Sequence, residues 1–210
     1  MSAPQAGERR LGENVARRSS QATRMLVWAG LDFPRLEAAR VLLGERSLRA
    51  TGSMVSASEN DAEPFSASYA LASDDTGVVR RLTVRTVRAQ GEQHVTLTRS
   101  EEGLWLVDHG AGAVRTDFGG AVDIDLAFSP LFNALPVRRL GLHRAAAEHH
   151  LPMVFVELPS LDVSLVRQVY RTVSVGDPAV VNFTSESVDA DLTADPDGLV
   201  LEYPGLAKRA

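Results

Sequence analysis

The sequence predicts a mainly β fold, in which a single many-stranded antiparallel sheet curls around one short helix to form a β-roll or half-barrel. More than ten short segments have the residue pattern of strands, and turn residues separate most of them. Only Ser129-Pro130 gives a clear helix start, with a hydroxyl at the N-cap and proline in the first turn. Because so long a sheet must curl, we expect an apolar helix to fill part of its interior and to leave a cleft beside it.

The composition is that of an ordinary globular protein. The 210 residues are 44% hydrophobic and 23% charged, with a formal net charge of -5 and no cysteine. The lack of cysteine excludes disulfides, thiolate zinc sites and cysteine nucleophiles. No segment approaches the roughly 18 apolar residues of a membrane helix, and Met25 to Leu31 is too short for the core of a signal peptide. We therefore expect a cytoplasmic protein without stable membrane insertion and without a metal or cofactor.

Charge and composition change near residue 24. Residues 1–23 are rich in Arg, Ser, Gly and Gln without a sustained period, so we predict a flexible Arg-rich arm and a single domain over residues 24–208. The first 24 residues carry a balance of +3, and the remainder therefore carries -8. An acidic domain argues against nucleic acid as a partner, because binding to phosphates needs clustered Lys or Arg.

Short strands follow one another through the first half of the chain. The clearest is Phe65 to Leu71, where side chains alternate with the period of two of a half-buried strand. Leu36 to Leu43 fits a strand or a helix, and we predict a strand. Short links favour a meander of antiparallel neighbours. The predicted strands are RMLVWAG, LEAARVLL, LRATGSMVS, FSASYAL, the two arms of a hairpin around Gln90-Gly91, and LWLV.

Two carboxylates precede the helix start. In a strand, Asp123 and Asp125 project to one face about 6 to 7 Å apart, and the apolar residues between them project to the other. The helix itself is predicted over Ser129 to Leu135, because Pro136 disfavours helical geometry in the residue before it. Its residues are apolar nearly all round, which is typical of a helix enclosed by other structure.

Two arginines follow that predicted helix. We place Arg138 and Arg139 on a subsequent strand, where they point to opposite faces, so at most one of them faces the aspartates. We expect one of them to be structural. The other could hold a lipid phosphate or form an ion pair with Asp123 or Asp125, and we favour the ion pair because buried charges need partners.

The last third of the chain again has the pattern of strands. Met153 to Leu158 is a continuous apolar run, and Val163 to Val175 is a long strand in which Gln168 and Tyr170 share a polar face. Asp195 to Gly198 favours a tight hairpin turn between the final strands, Val188 to Thr193 and Leu199 to Tyr203.

These segments resemble a known family. DIDLAFSPLFNALPVRRLGL is similar to the signature of the putative glycolipid-binding family, and LVRQVY, the closing GLVLEYP and Trp28 extend the resemblance over nearly all of Met25 to Lys208. The resemblance implies a many-stranded antiparallel sheet around a single helix, remotely like the bacterial lipoprotein carriers. It also implies a homodimer and an acidic pocket for a sugar-bearing lipid. The chain lacks a Trp that the family usually has near Asp75 to Arg85, so we expect no ligand contact from that position.

Six residues form the candidate ligand-binding set. Carboxylates accept bidentate hydrogen bonds from vicinal hydroxyls, and a tyrosine ring offers a sugar both apolar area and a polar tip. Each residue has a plain structural alternative, such as a solvated strand face, an ion pair or core packing. Trp28 and Trp105 are expected in the core rather than at a ligand. The set is Asp123, Asp125, Arg138, Gln168, Tyr170 and Tyr203.

Three hypotheses for function remain open from the sequence. The first is a non-enzymatic protein that binds a glycolipid or similar amphiphile in an acidic-mouthed cleft of the curled sheet. The second is a hydrolase that cleaves a sugar-lipid linkage through Asp123 and Asp125. The third is a ligand-free dimeric structural or interaction protein. No catalytic motif of a recognised class occurs, so we expect binding rather than catalysis.

Overall fold

One sheet of fifteen strands dominates the computed structural model, which describes residues 22–57 and 63–210. The sheet is curled but not closed into a barrel, so the predicted fold class is confirmed. The strands are β1 (Ala22–Gly30), β2 (Arg35–Leu43), β3 (Leu48–Ser56), β4 (Phe65–Ser73), β5 (Val79–Arg88), β6 (Gly91–Arg99), β7 (Trp105–Asp108), β8 (Ala113–Thr116), β9 (Asp123–Leu126), β10 (Glu148–Val156), β11 (Val163–Ser174), β12 (Ala179–Thr184), β13 (Asp189–Ala194), β14 (Val200–Tyr203) and β15 (Ala207–Arg209). The helix is α1 (Pro130–Leu140), and a single 3-10 turn covers Phe118–Gly120.

The chain builds this sheet as two halves that meet in the middle. Strands β1 to β8 are consecutive antiparallel neighbours, which confirms the predicted meander. Strands β9 to β15 form the other half, and β15 pairs with β1. The exception to antiparallel pairing is β9 with β10, which are parallel and are joined through α1. The helix therefore crosses over the sheet and is placed on its inner side.

The helix is longer than predicted, and the predicted end at Leu135 is wrong. Pro136 lies inside α1, which continues to Leu140 and ends at Gly141 in the left-handed conformation (φ 70°). Nine helical residues, from Pro130 to Arg138, are buried, so tertiary packing outweighs the local cost of the proline. Arg138 and Arg139 consequently lie in the last turn of the helix, and their predicted placement on a strand is also wrong.

Two groups of buried side chains form the core, and the larger one draws on both halves of the sheet. The larger includes Trp28 and Trp105, whose indole N–H groups each donate to a backbone carbonyl at 2.9 Å, so their predicted core positions are confirmed. The smaller surrounds Tyr170 and Phe183. The first turns of α1 pack in the larger group, and Val137 packs in the smaller one. The helix therefore contributes side chains to both groups.

The ends of the chain differ in detail from the prediction. Strand β1 begins at Ala22, two residues inside the segment predicted as an arm, and the rest of that arm lies outside the described residues. The short strand β15 was not predicted, although its pairing with β1 joins the two halves. Within the described part of the chain, no helix has the length and apolarity needed to cross a membrane.

Candidate functional site

A cleft of about 830 Å³ opens beside the first turn of α1, on the inner side of the second half of the sheet. Its walls are mainly apolar, with a few polar groups among them, which is the composition of a small-molecule site. Asp125, Gln168 and Tyr203 are among the polar residues of the lining, which also include Arg167 and Glu186. The apolar lining consists of Leu126, Ala127, Phe128, Phe155, Leu165, Val166, Phe183, Val188 and Leu206.

Four polar side chains form a hydrogen-bonded chain at the base of the cleft. The amide of Asn133 donates to the hydroxyl of Tyr170 (2.9 Å), and that hydroxyl donates to Oε1 of Gln168 (3.1 Å). The amide of Gln168 then donates to Oδ2 of Asp125 (2.6 Å). Asn133, Gln168 and Tyr170 are buried, so each of these bonds satisfies a group that would otherwise be costly. Each hydrogen bond in this series is donated in the direction of Asp125, and the Asp125 carboxylate is the final acceptor.

Asp125 combines a carboxylate with an apolar setting. It is half-buried in β9 opposite Phe155 of β10, and it lines the cleft. Burial raises its pKa from 3.8 to about 6, against the opposing effect of the Gln168 hydrogen bond. At neutral pH the carboxylate is therefore ionised and has lone pairs available to a hydroxyl donor in the cleft.

Asp123 shares a strand face with Asp125 but has a different partner. Arg139 binds both of its carboxylate oxygens, at distances between 2.5 and 3.2 Å. Asp123 is only 1% exposed and does not line the cleft. Burial raises its pKa above the usual value, and Arg139 opposes that rise. The ion pair expected for one of the two arginines is therefore present, between Arg139 and Asp123.

The other predicted site residues are divided between the cleft and the protein interior. Gln168 and Tyr203 line the cleft, and Tyr170 lies behind the lining as part of the polar chain. Burial raises the pKa of both tyrosines, so both carry neutral hydroxyls. Arg138 points elsewhere, because its guanidinium donates to the backbone carbonyls of Asp197 and Gly44.

A second buried polar cluster adjoins the cleft and was not predicted. Glu37 of β2 is 1% exposed, and its Oε1 accepts hydrogen bonds from Tyr69 and Ser129, each at 2.5 Å. Ser129 is the N-cap of α1 and lines the cleft, but its hydroxyl is directed to Glu37 rather than to the helix backbone. Gly52 makes room for the tyrosine, because a Cβ there would lie 2.3 Å from the ring.

Sequence patterns pointed, to different degrees, to two residues that were not predicted, Glu37 and Asn133. Glu37 alternates with Ala39 and Val41 in β2, so the choice of a strand already placed it on the core face. Asn133 is the polar residue in an otherwise apolar stretch of helix, and such a residue needs a buried partner. The identity of that partner depends on tertiary structure.

The cleft is shaped by a turn with an uncommon backbone conformation. Phe128, between β9 and α1, has a positive φ of 68°, which is rare for a bulky residue. Its ring contacts that of Phe33 edge to face at 5.4 Å, and the Arg35 guanidinium lies 4.9 Å from its centre. These contacts hold the Phe128 ring, which forms part of the cleft wall.

Comparison with known proteins gives two matches and one negative result. A family model described as "Putative glycolipid-binding" matches residues 25–209. A crystal structure of a DUF1089 family protein from Pseudomonas aeruginosa is similar, with 25% sequence identity and a TM-score of 0.66, over 83% of this chain and 92% of that one. No curated protein matches the chain.

Proposed function

This chain belongs to the putative glycolipid-binding family, and from that premise we propose that it binds a glycolipid or similar amphiphile in the cleft without acting on it chemically. The observation that carries the proposal is the contrast within the cleft, where apolar walls surround a buried polar chain that ends in Asp125. A volume of about 830 Å³ is within the range of sites for small ligands.

The direction of the hydrogen bonds supports a ligand that carries hydroxyl donors. Gln168 donates to Asp125, and the ionised carboxylate can only accept further hydrogen bonds. A sugar hydroxyl meets this requirement. The charged residues of the lining are Arg167, Asp125 and Glu186, so a phosphate or sulfate group would add negative charge to a lining that is already net negative. The phenol of Tyr203 and the apolar side chains of Phe155 and Phe183 would contact the remaining surface of the ligand.

The same geometry does not favour the hydrolase hypothesis. Hydrolysis by two carboxylates needs both of them beside the scissile bond. Asp123 is held in the interior by Arg139, and Asp125 is the aspartate at the cleft. We therefore propose binding through Asp125, Gln168 and Tyr203. The homodimer and the cytoplasmic location stay predictions.

Mass spectrometry of an organic extract of the purified protein tests the proposal directly. We expect a retained amphiphile in the wild type and in Val169→Trp, and none in Val166→Trp. Val166 lines the cleft. Val169 lies on the same strand three residues away, projects to the opposite face and does not line the cleft, so Val169→Trp is a matched control. An empty wild-type protein that also fails to bind added octyl glucoside would overturn the proposal.

A pair of detergents with the same alkyl chain tests the role of Asp125. Octyl glucoside should bind more tightly than octyl sulfate, and Asp125→Asn should weaken glucoside binding by about tenfold, the loss expected for a hydrogen bond to a charged group. Because the pKa of Asp125 is raised to about 6, affinity for the glucoside should fall as the pH is lowered through that value. Equal affinity for the two head groups would contradict the proposed role.

A further inference from the structure

The outer face of the first half of the sheet carries an unusual concentration of positive charge. Side chains of β2 to β5 that alternate with core residues point outward, and they include the exposed Arg40, Arg49 and Arg81. A fourth arginine on this face, Arg85, is paired with Glu92. The whole chain has a net charge of -5, so this face differs in sign from the protein as a whole.

The strand register brings the three arginines around one hollow. Ala72 of β4 is the direct neighbour of Arg49 on one side and of Arg81 on the other. Strands are spaced about 4.8 Å apart, so the Cα atoms of these two arginines are roughly 10 Å apart, and their side chains extend over a small residue. Arg40 lies one strand further and beside Thr51. The hollow between them has a volume of about 260 Å³, and threonine hydroxyls add to its lining.

These arginines have no acidic partner among the residues that the structure describes. Every ion pair in residues 22–57 and 63–210 involves other side chains. Like charges on neighbouring strands repel one another, and an anion placed between them removes that repulsion. Arginine is the side chain best suited to the task, because its planar guanidinium binds phosphate oxygens in pairs.

Large apolar side chains are exposed on the same face. Met25, Leu36 and Val55 are 66%, 51% and 62% exposed. Met25 is the direct neighbour of Arg40 across β1 and β2, and Leu36 is the neighbour of Val55 across β2 and β3. Exposed apolar groups beside arginines are the combination that places a protein at the interface of an anionic bilayer.

We propose that this arginine face, defined by Arg40, Arg49 and Arg81 with Met25 and Val55, docks on the phosphate head groups of an anionic lipid surface. The arginines would bind phosphate oxygens, and the apolar side chains would enter the interfacial layer. The inference rests on the proposed function, because a protein that carries an amphiphile must collect or deliver it at a lipid surface. The face shares no residue with the cleft, so docking and ligand binding can be tested separately.

Co-sedimentation with lipid vesicles tests the proposal on the full chain. We expect binding to vesicles of phosphatidylcholine with phosphatidylglycerol, weak binding to phosphatidylcholine alone, and loss of binding at high salt. Each arginine should contribute about fivefold to the affinity for anionic vesicles. The combined Arg40→Ser, Arg49→Ser, Arg81→Ser variant should therefore bind these vesicles about 100-fold more weakly. The matched control combines Arg115→Ser, Arg144→Ser and Arg171→Ser, which changes the charge equally at exposed positions elsewhere.

The outcomes separate lipid docking from other anions and from other interfaces. Equal vesicle binding by the two triple variants would overturn the proposal, as would arginine-dependent binding of inorganic phosphate or duplex DNA without vesicle binding. A change in oligomeric state of the first triple variant alone, measured by light scattering, would assign the face to a second copy of the chain instead. If the wild type retains an amphiphile but binds none of the vesicles, this inference fails while the proposed function stands.

Discussion

Glu37 makes a specific prediction about how stability depends on pH. Its carboxyl group is buried beneath the start of α1, where Tyr69 and Ser129 donate to one oxygen and the other oxygen has no partner among the described residues. Burial raises its pKa from 4.5 to about 7, against the opposing effects of the two hydrogen bonds and Arg35. The folded protein therefore holds this proton more tightly than the unfolded chain does.

The sign and size of the effect follow from that difference. Below pH 4.5 both states are protonated, and the group contributes nothing to the pH dependence. Between pH 4.5 and about 7 the unfolded chain binds fewer protons than the folded protein, so the free energy of unfolding falls as the pH rises. With about 1.4 kcal/mol for each pKa unit, the loss reaches about 3 kcal/mol and is then constant at higher pH.

Urea denaturation of the wild type and of Glu37→Gln across this pH range provides the assay. The variant is neutral at every pH, so its stability relative to the wild type should rise by about 3 kcal/mol from below pH 4.5 to about pH 8. Any constant penalty from the buried amide cancels in this comparison. Glu101→Gln, at an exposed turn position, is the control and should leave the profile unchanged. A difference between wild type and Glu37→Gln that does not vary with pH would refute the reasoning.

Two further predictions concern the buried polar groups around α1. Arg139→Leu leaves the Asp123 carboxylate buried without its partner and should destabilise the protein by about 3 to 5 kcal/mol in urea denaturation, whereas the double variant with Asp123→Leu should recover most of that loss. A double variant as unstable as the single one would contradict this account. Tyr170→Phe removes the hydroxyl that joins Asn133 to Gln168 and should cost about 1 to 3 kcal/mol in the same assay, because a buried amide donor and a buried amide oxygen lose their shared partner. Phe155→Leu, at the cleft wall and outside the polar chain, serves as its comparison, and retention of full stability in Tyr170→Phe would contradict this account.

Local patterns in the sequence predicted most of the sheet. Period-two alternation in Phe65 to Leu71 and the turn at Asp195 to Gly198 correspond to β4 and to the β13–β14 link. The end of α1 could not be predicted, because the preference of Pro136 is local and the burial that overrides it depends on the surrounding sheet. Strand β15 has three residues and no detectable period, so only its pairing with β1 and β14 reveals it.

The candidate site shows a similar division. The parity of β9 placed Asp123 and Asp125 on one face, but their different partners depend on where α1 lies. Asp125 and Gln168 are 43 residues apart in sequence, and β10 separates their strands. No periodicity relates them, so the sequence indicated their proximity only through the family resemblance.

The position of α1 explains why one short helix can organise both halves of so large a sheet. Near its start, Ser129 donates to Glu37 in the first half of the sheet, and Asn133 donates to Tyr170 in the second. At its end, Arg139 binds Asp123 of β9. These bonds join the helix to both halves independently of its apolar packing, and apolar packing alone would allow it to slide or rotate. The cleft lies beside the first turn, so the same contacts that fix the helix also fix the wall that faces the ligand.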